Sequence, residues 1–323
     1  MQNTHRLFAL FVAGLCTATI VAGQTDVKIP ALIRIVVPFS VGGSNDVIAR
    51  AIAAPLSKRL GTAVIVDNKP GAGGVIGADA VAKAAPDGSV LLLTSSSFLT
   101  ATATLPRVPY DTLGSFAPIA MVAEGPLLLA VSSSAPFKSL GELVAAARAR
   151  PGVITYGSAG VGSVAQMATE MMNDAARISM LHVPYKGASN ALLDLAAGQI
   201  DVMVTNYSTV VSQIKSGRIK PLGVTSLKTN PTFPDLPPVS ASAPGFAVDI
   251  WVGVFAPAGT PVGLVQRLNR EINEISNSSE VRLLLDPDGA LPVSMTPAVF
   301  ATRVKDDLAQ WRRIATEKKI VAE

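Results

Sequence analysis

The segment IRIVVPFSVGGSNDVIARAIAAPLSKRL, residues 33–60, indicates the fold class of this chain. Its first five residues, Ile33 to Val37, include four apolar side chains, and such a run is typical of a buried strand. A turn that contains Gly42 and Gly43 follows, and apolar residues then recur at helical spacing from Asp46 to Leu60. A strand, a glycine turn and a helix in this order predict an α/β fold.

The same order occurs again in the second half of the chain. A strand is predicted at 153–156, a glycine-rich turn at 157–162 and a helix at 163–172. The other predicted strands lie at 63–66, 90–94, 127–131, 180–183, 200–204, 222–225 and 251–256, and the other predicted helices at 76–85, 139–150, 188–197, 261–275, 279–285 and 297–318. We therefore expect two similar α/β lobes that face each other across a cleft.

The N-terminus has the pattern of a secretory signal peptide. Arg6, the apolar stretch 7–21 and the small residues before position 24 predict a signal over residues 1–23, cleaved after Gly23. The remainder of the chain has 26 basic and 23 acidic residues, a net charge of +3, and it has no cysteine. We therefore expect an exported periplasmic protein with no disulfide, no thiolate chemistry and no nucleic-acid partner.

The two glycine turns are candidates for binding an anion. In the turn from Ser40 to Asp46, two glycines let backbone N–H groups converge, and the helix behind them adds a partial positive charge. Ser44 or Asn45 could also cap that helix. The turn from Ser158 to Ser163 repeats the arrangement. A plain strand-to-helix turn is the alternative for each, but a facing pair could hold a carboxylate from both sides.

Catalysis and cofactor binding are less well supported by the sequence. Ser163 or Ser96 would need a base, and His182 is the only histidine after the predicted signal, so we expect a structural His182 and no catalytic residue. One histidine without cysteine or a close carboxylate cluster does not predict a metal site. The segment 71–77 has Ile76 in place of the third glycine of a dinucleotide fingerprint, and we expect no cofactor.

Several motifs, taken in order, resemble one family over nearly all of the chain after residue 23. They are residues 35–39 with Gly42, Gly43 and Asp46, then 66–74, 82–88, 109–111, 182–187, 198–201 and 256–261. This is the Bug-type family of periplasmic solute-binding receptors of tripartite tricarboxylate transporters. The resemblance implies a type II periplasmic binding-protein fold, in which two α/β lobes joined by two crossing strands close on a carboxylate.

The resemblance also implies lobe boundaries and ligand-binding residues. Lobe one would comprise residues 24–123 and 252–323 and lobe two residues 124–251, with crossings near 122–125 and 248–253. The ligand-binding residues would be Phe39, Gly42, Gly43, Ser44, Asp46, Ser95, Ser96, Ser97, Ser158, Gly160, Ser163, Thr205 and Asn206. The implied partners are a di-, tri- or aromatic carboxylate and the membrane subunits of the transporter. We expect a monomer.

The chain departs from the family pattern at three places. Ser40 and Val41 stand where two prolines are common, Gln166 where a histidine is common, and Thr205 where an aspartate is common. Since Thr205 has no charge to meet an ammonium group, we expect a ligand that lacks one. A ligand sensor that reports to a membrane kinase needs the same cleft, and the sequence leaves that alternative open.

Overall fold

The computed structural model describes residues 28–322, and this part of the chain forms two separate sheets with helices around them. The strands are β1 (Leu32–Val37), β2 (Ala63–Asn68), β3 (Val90–Ser95), β4 (Phe116–Pro126), β5 (Leu128–Ser132), β6 (Thr155–Ser158), β7 (Leu181–Pro184), β8 (Val202–Thr205), β9 (Ile219–Val224), β10 (Asp249–Pro257) and β11 (Leu291–Pro292). The helices are α1 (Ser44–Leu60), α2 (Val75–Ala82), α3 (Ser97–Thr104), α4 (Leu140–Ala149), α5 (Val164–Ala176), α6 (Ala188–Ala196), α7 (Tyr207–Lys215), α8 (Val262–Ser276), α9 (Ser279–Leu285) and α10 (Pro297–Glu317). The predicted signal peptide at residues 1–23 lies outside the described residues.

Both sheets mix parallel and antiparallel strands. The first has the order β11-β4-β10-β3-β1-β2, in which β1 pairs in parallel with β2 and β3 while β10 runs antiparallel to β3 and β4. The second has the order β7-β6-β8-β5-β9, in which β6 is parallel to β7 and β8 while β5 is antiparallel to β8 and β9. We call the part built on the first sheet lobe one and the part built on the second sheet lobe two.

The chain passes between the sheets at two places that lie side by side. It leaves the first sheet between Pro126 and Leu128 and returns between Val224 and Asp249. At this junction β4 and β10 pair antiparallel, with Trp251 opposite Glu124. These paired strands run through the two predicted crossings at 122–125 and 248–253. Division of the lobes at 123/124 and 251/252 stays a prediction.

The C-terminal half of strand β1 is buried on both faces, which explains its continuous apolar run from Ile35 to Val37. Ile33, Ile35 and Val37 belong to one core and Val36 to another, and each exposes 1% of its surface or less. Parallel strands with helices on both faces need this pattern. Burying one such side chain contributes about 1.5–3 kcal/mol, so β1 fixes the position of the turn that follows it.

Helix α10 links the two lobes through a shared apolar core. Trp311 and Ile314 of α10 belong to the same buried cluster as Leu92 of β3 in lobe one and Met171 of α5 in lobe two. Near its C-terminal end Lys318 forms an ion pair with Asp174 of α5. The lobes are therefore joined by apolar packing as well as by the two crossing connections.

The predicted α/β class is confirmed, and each predicted strand and helix has a counterpart whose bounds agree within four residues. Four elements were missed: α3, α7, β11 and most of β4. Helix α3 was missed because it is rich in threonine, a weak helix former. Its Thr100 and Thr104 hydroxyls donate to carbonyls in the preceding turn, and the helix packs against α10. Ser97 begins this helix.

Candidate functional site

The N-terminus of α1 opens into a cleft between the lobes. Gly43 is the N-cap residue, and within residues 28–322 no side chain caps the helix, so the prediction that Ser44 or Asn45 does so was wrong. The preceding Gly42 has φ +82°, a conformation that favours glycine. The first backbone N–H groups of a helix lack intrahelical partners, and this 17-residue helix adds its dipole at the same point.

Asp46 stabilises this turn from its buried side. Its carboxylate accepts a hydrogen bond from the Gly42 N–H at 2.9 Å and forms an ion pair with Arg50 at 2.9 Å. Hydrogen bonding to Arg50, followed by that from Gly42, lowers the pKa of Asp46 to about 2. With 2% of its surface exposed, Asp46 fixes the backbone of the turn and does not present its carboxylate to the cleft.

The cleft contains a large and a small chamber. The large chamber, of about 580 Å³, lies between the start of α1, the junction of β4 with β10, the start of α7 and the segment 284–290. The small chamber, of about 240 Å³, lies between the start of α3 and the starts of α5 and α6. The two chambers share Ser95, Asn206 and Ile250 and therefore lie next to each other.

A row of polar side chains runs along lobe one where the chambers meet. The Asn45 amide donates to Ser95 Oγ at 3.4 Å, and Ser95 Oγ lies 2.8 Å from Ser97 Oγ. Ser96 instead faces the junction strand, because its Oγ accepts a hydrogen bond from the backbone N–H of Trp251 at 3.0 Å. Among the described residues that line either chamber there is no lysine or arginine. An anion would therefore bind to amides and hydroxyls.

The second glycine turn is organised by His182. The Gly162 N–H donates to Gln166 Oε1 at 2.8 Å, which turns the Gln166 amide nitrogen towards His182 Nδ1, 3.1 Å away. Since Nδ1 accepts, the proton of the neutral ring is on Nε2, which donates to Ser158 Oγ at 2.7 Å. Ser158 Oγ in turn donates to the carbonyl of Gly160 at 3.0 Å, so the chain of hydrogen bonds sets the shape of the turn.

This arrangement argues against a serine–histidine hydrolase. A general base must accept the hydroxyl proton, and His182 Nε2 already carries one. Burial also lowers the pKa of His182 to about 4. The sequence-based candidate nucleophiles are occupied as well, because Ser163 Oγ accepts from the Gln166 N–H and Ser96 Oγ from the Trp251 N–H. His182 therefore has a structural role.

The structure places most of the residues predicted to bind ligand on the chamber walls. Those on the walls are Phe39, Gly42, Gly43, Ser44, Ser95, Ser96, Ser97, Ser163, Thr205 and Asn206. Asp46 and Ser158 line neither chamber and expose 2% and 0% of their surfaces. Gly160 has φ +124° and is bonded to Ser158, so it shapes the turn in lobe two.

Sequence reasoning missed the far wall of the large chamber. This wall comes from the end of α9 and the 3-10 turn Asp286–Asp288 that follows it. Asn230 of lobe two donates its amide to the carbonyl of Gly289 at 2.8 Å, which holds the segment against that lobe. The Asp-Pro-Asp-Gly sequence at 286–289 is typical of a turn, but its position beside α1 follows only from the fold.

Two further properties bear on the class of protein. Across residues 28–322, the helices are too short or too polar to cross a bilayer. In the same part of the chain, histidine and acidic side chains do not gather in a group that could bind a metal ion.

Comparison with known proteins gives a consistent result. A family model described as "tripartite tricarboxylate transporter family receptor" matches residues 48–320. The chain is 36% identical over 320 residues to protein BugT of Bordetella pertussis, with 98% of each chain covered. It is similar to R. palustris Rpa4515 solved with adipate, at 32% identity and a TM-score of 0.76, covering 90% of this chain and 98% of that one. It is also similar to the periplasmic binding protein BugD, at 33% identity and a TM-score of 0.73, with 90% and 98% covered.

Proposed function

The chain belongs to the tripartite tricarboxylate transporter receptor family, and from that premise we propose that it captures a small carboxylate at the N-terminus of α1. The fold is the type II periplasmic binding-protein fold, as the sequence resemblance implied. The family is one of binding receptors and not of enzymes. The chain is thus a solute-binding protein, and its ligand and binding residues are what we propose.

One observation carries the proposal: the start of α1 has no side-chain cap and opens into the large chamber. Unpaired N–H groups at a helix N-terminus, together with the helix dipole, favour a bound anion. Asn45, Ser95 and Ser97 supply further polar groups beside this point. The R. palustris relative solved with adipate supports a carboxylate as that anion.

We propose further that the ligand has no ammonium group. Thr205 is uncharged, and the two carboxylates that line the large chamber already have partners. Glu124 forms an ion pair with Arg303 at 3.1 Å, and Asp288 accepts hydrogen bonds from Ser208. An ammonium group would therefore find no unpaired carboxylate at these positions, which makes its desolvation costly.

We propose the periplasm as the location and the membrane subunits of a tripartite tricarboxylate transporter as the partner. The support is family membership and the likeness to the periplasmic protein BugD. The signal-like sequence at residues 1–23 agrees with export.

Isothermal titration calorimetry of the purified protein tests whether a carboxylate binds at the N-terminus of α1, a position that we call the carboxylate seat. We expect binding of 4-methylbenzoate or adipate and at least about tenfold weaker binding of the neutral amide 4-methylbenzamide, because a helix N-terminus favours negative charge. A second pair, 3-phenylpropanoate and phenylalanine, differs by the ammonium group, and we expect the acid without it to bind more tightly. Equal binding of acid and amide would show that the seat is misplaced, and tighter binding of phenylalanine would refute the absence of an ammonium site.

A further inference from the structure

Resting on the proposed carboxylate seat, we infer that the large chamber is an apolar subsite and that the ligand of this chain is a monocarboxylate with an aryl or alkyl body. The proposed function requires only that one carboxylate binds. The shape and charge of the space beyond the seat decide what else the ligand carries.

Two helices supply apolar side chains that face this space. Val47 and Ile48 of α1 and Leu284 and Leu285 of α9 all line the large chamber. Ile48 and Leu285 are buried in the core, but Val47 and Leu284 still expose 39% and 42% of their surfaces. Large apolar side chains left exposed together in a concave site are typical of a surface that binds an apolar group.

The junction strands complete the apolar surface. Ile250 and Val252 of β10 line the chamber together with Ala123 and Pro126 of β4. Pro287 and Ala290 add to the far wall. Apolar groups thus line the chamber on three sides: α1, the junction of β4 with β10, and the segment 284–290.

The charges around the chamber disfavour a second ligand carboxylate. The charged side chains that line it are Glu124 and Asp288, both acidic. The nearby Arg303 guanidinium already forms ion pairs with Glu124 at 3.1 Å and with Asp307 at 2.9 Å. A second carboxylate in the chamber would lose its hydration without gaining an unpaired cation.

Helix α7, whose N-terminus lines the large chamber from lobe two, does not offer a second seat there. At α7 the backbone N–H of Ser208 donates to Asp288 at 2.6 Å. At α5 the N–H of Gln166 donates to the Ser163 side chain. One leading amide group of each of these helices therefore already has a side-chain acceptor, whereas α6, which starts at the small chamber, has no side-chain cap. A second carboxylate in the large chamber would therefore find the α7 N-terminus already bonded to Asp288.

Two matched pairs of acids test the inference by calorimetry. Hexanoate and adipate differ in one terminal group, as do 4-methylbenzoate and terephthalate. We expect the monoacid of a pair to bind at least about tenfold more tightly than the diacid. A diacid that binds as tightly as its monoacid would overturn the apolar subsite and leave the carboxylate receptor intact. If no acid of either pair binds, the proposed function fails and the inference with it.

Adjacent residues on α9 provide a variant and its control. Leu284 lines the chamber, whereas its neighbour Leu283 does not and exposes 70% of its surface. We expect Leu284→Asp to weaken 4-methylbenzoate binding at least about tenfold and Leu283→Asp to leave it unchanged. Leu284→Arg should instead improve terephthalate binding, since it supplies the missing cation. Wild-type affinities in both Leu284 variants would contradict the subsite, and comparison of melting temperatures separates this result from misfolding.

Discussion

The carboxylate of Asp288 accepts two hydrogen bonds from Ser208, one from its backbone N–H at 2.6 Å and one from its hydroxyl at 3.0 Å. Asp288 lies between α9 and the β11 strand of lobe one, while Ser208 lies in the first turn of α7 in lobe two. An acidic group at this position caps α7 and complements its dipole. The same contact bridges the two lobes beside the large chamber, so it favours the closed cleft.

We expect Asp288→Ala to weaken carboxylate binding about fivefold. Loss of a helix cap costs about 1 kcal/mol, and a ligand that requires the closed form loses affinity as that form becomes less populated. Calorimetry measures the effect with 4-methylbenzoate. Asp286→Ala, an exposed aspartate in the same turn, is the control and should bind like the wild type. An unchanged affinity for Asp288→Ala would mean that the bridge does not contribute to closure.

Gly43→Val should abolish or weaken ligand binding by at least about tenfold while leaving the fold intact. A Cβ atom at Gly43 would lie 3.4 Å from the Ser40 carbonyl, and the φ of −74° suits any residue. The branched side chain would occupy space beside the first N–H groups of α1. Gly141→Val, in a distant helix where a Cβ has room, is the matched control. Full affinity in Gly43→Val would place the anion elsewhere.

Stability should fall as the pH decreases through the range from 6.5 to about 4, in part because of His182. Burial lowers the pKa of His182 from 6.5 to about 4, so within this range the unfolded chain takes up a proton that the folded protein does not. His182→Gln removes this dependence. Urea unfolding at pH 7 and pH 4.5 should show a smaller loss of stability in the variant. An equal loss in both proteins would show that His182 titrates normally in the fold.

Asp249→Asn should raise the free energy of unfolding by about 1 kcal/mol at pH 8. Burial, followed by the charge of Glu124, raises the pKa of Asp249 to about 6, so its ionised form destabilises the folded protein above that pH. As the pH falls from 6 towards 3.8 the native carboxyl takes up a proton and the penalty disappears. The gain in unfolding free energy from Asp249→Asn should therefore be smaller at pH 4.5 than at pH 8. Asp235→Asn, on an exposed aspartate, is the control and should show no gain at either pH.

The parts of the site that lie close together in sequence could be predicted, and the parts brought together by the fold could not. The turn between β1 and α1 was found because a buried strand, two glycines and an amphipathic helix follow each other directly. Its counterpart at Ser158–Ser163 was found in the same way. Leu284 and Asp288 gave no such signal, because their place beside α1 depends on how α8 and α9 pack on lobe one.

Two residue positions also show why a motif does not give the direction of a side chain. Asp46 was predicted to contact the ligand, but its bonds to Gly42 and Arg50 hold it behind the turn. Ser96 stands between two serines that face each other in the cleft, and the pairing of β10 with β3 draws its hydroxyl to the Trp251 N–H. Hydrogen-bond partners decided both orientations: the Gly42 N–H and the Arg50 guanidinium for Asp46, and the Trp251 N–H for Ser96.

The seat that we propose at α1 would attract an anion with backbone dipoles and without a formal positive charge. The influence of a helix end fades within about one turn, whereas an exposed cation acts over a Debye length of about 8 Å at physiological salt. The rate of ligand binding should therefore depend little on ionic strength, because the helix end acts only over a short distance. The proposed seat belongs to lobe one alone, so separation of the lobes would remove the contacts from lobe two and leave the α1 dipole in place.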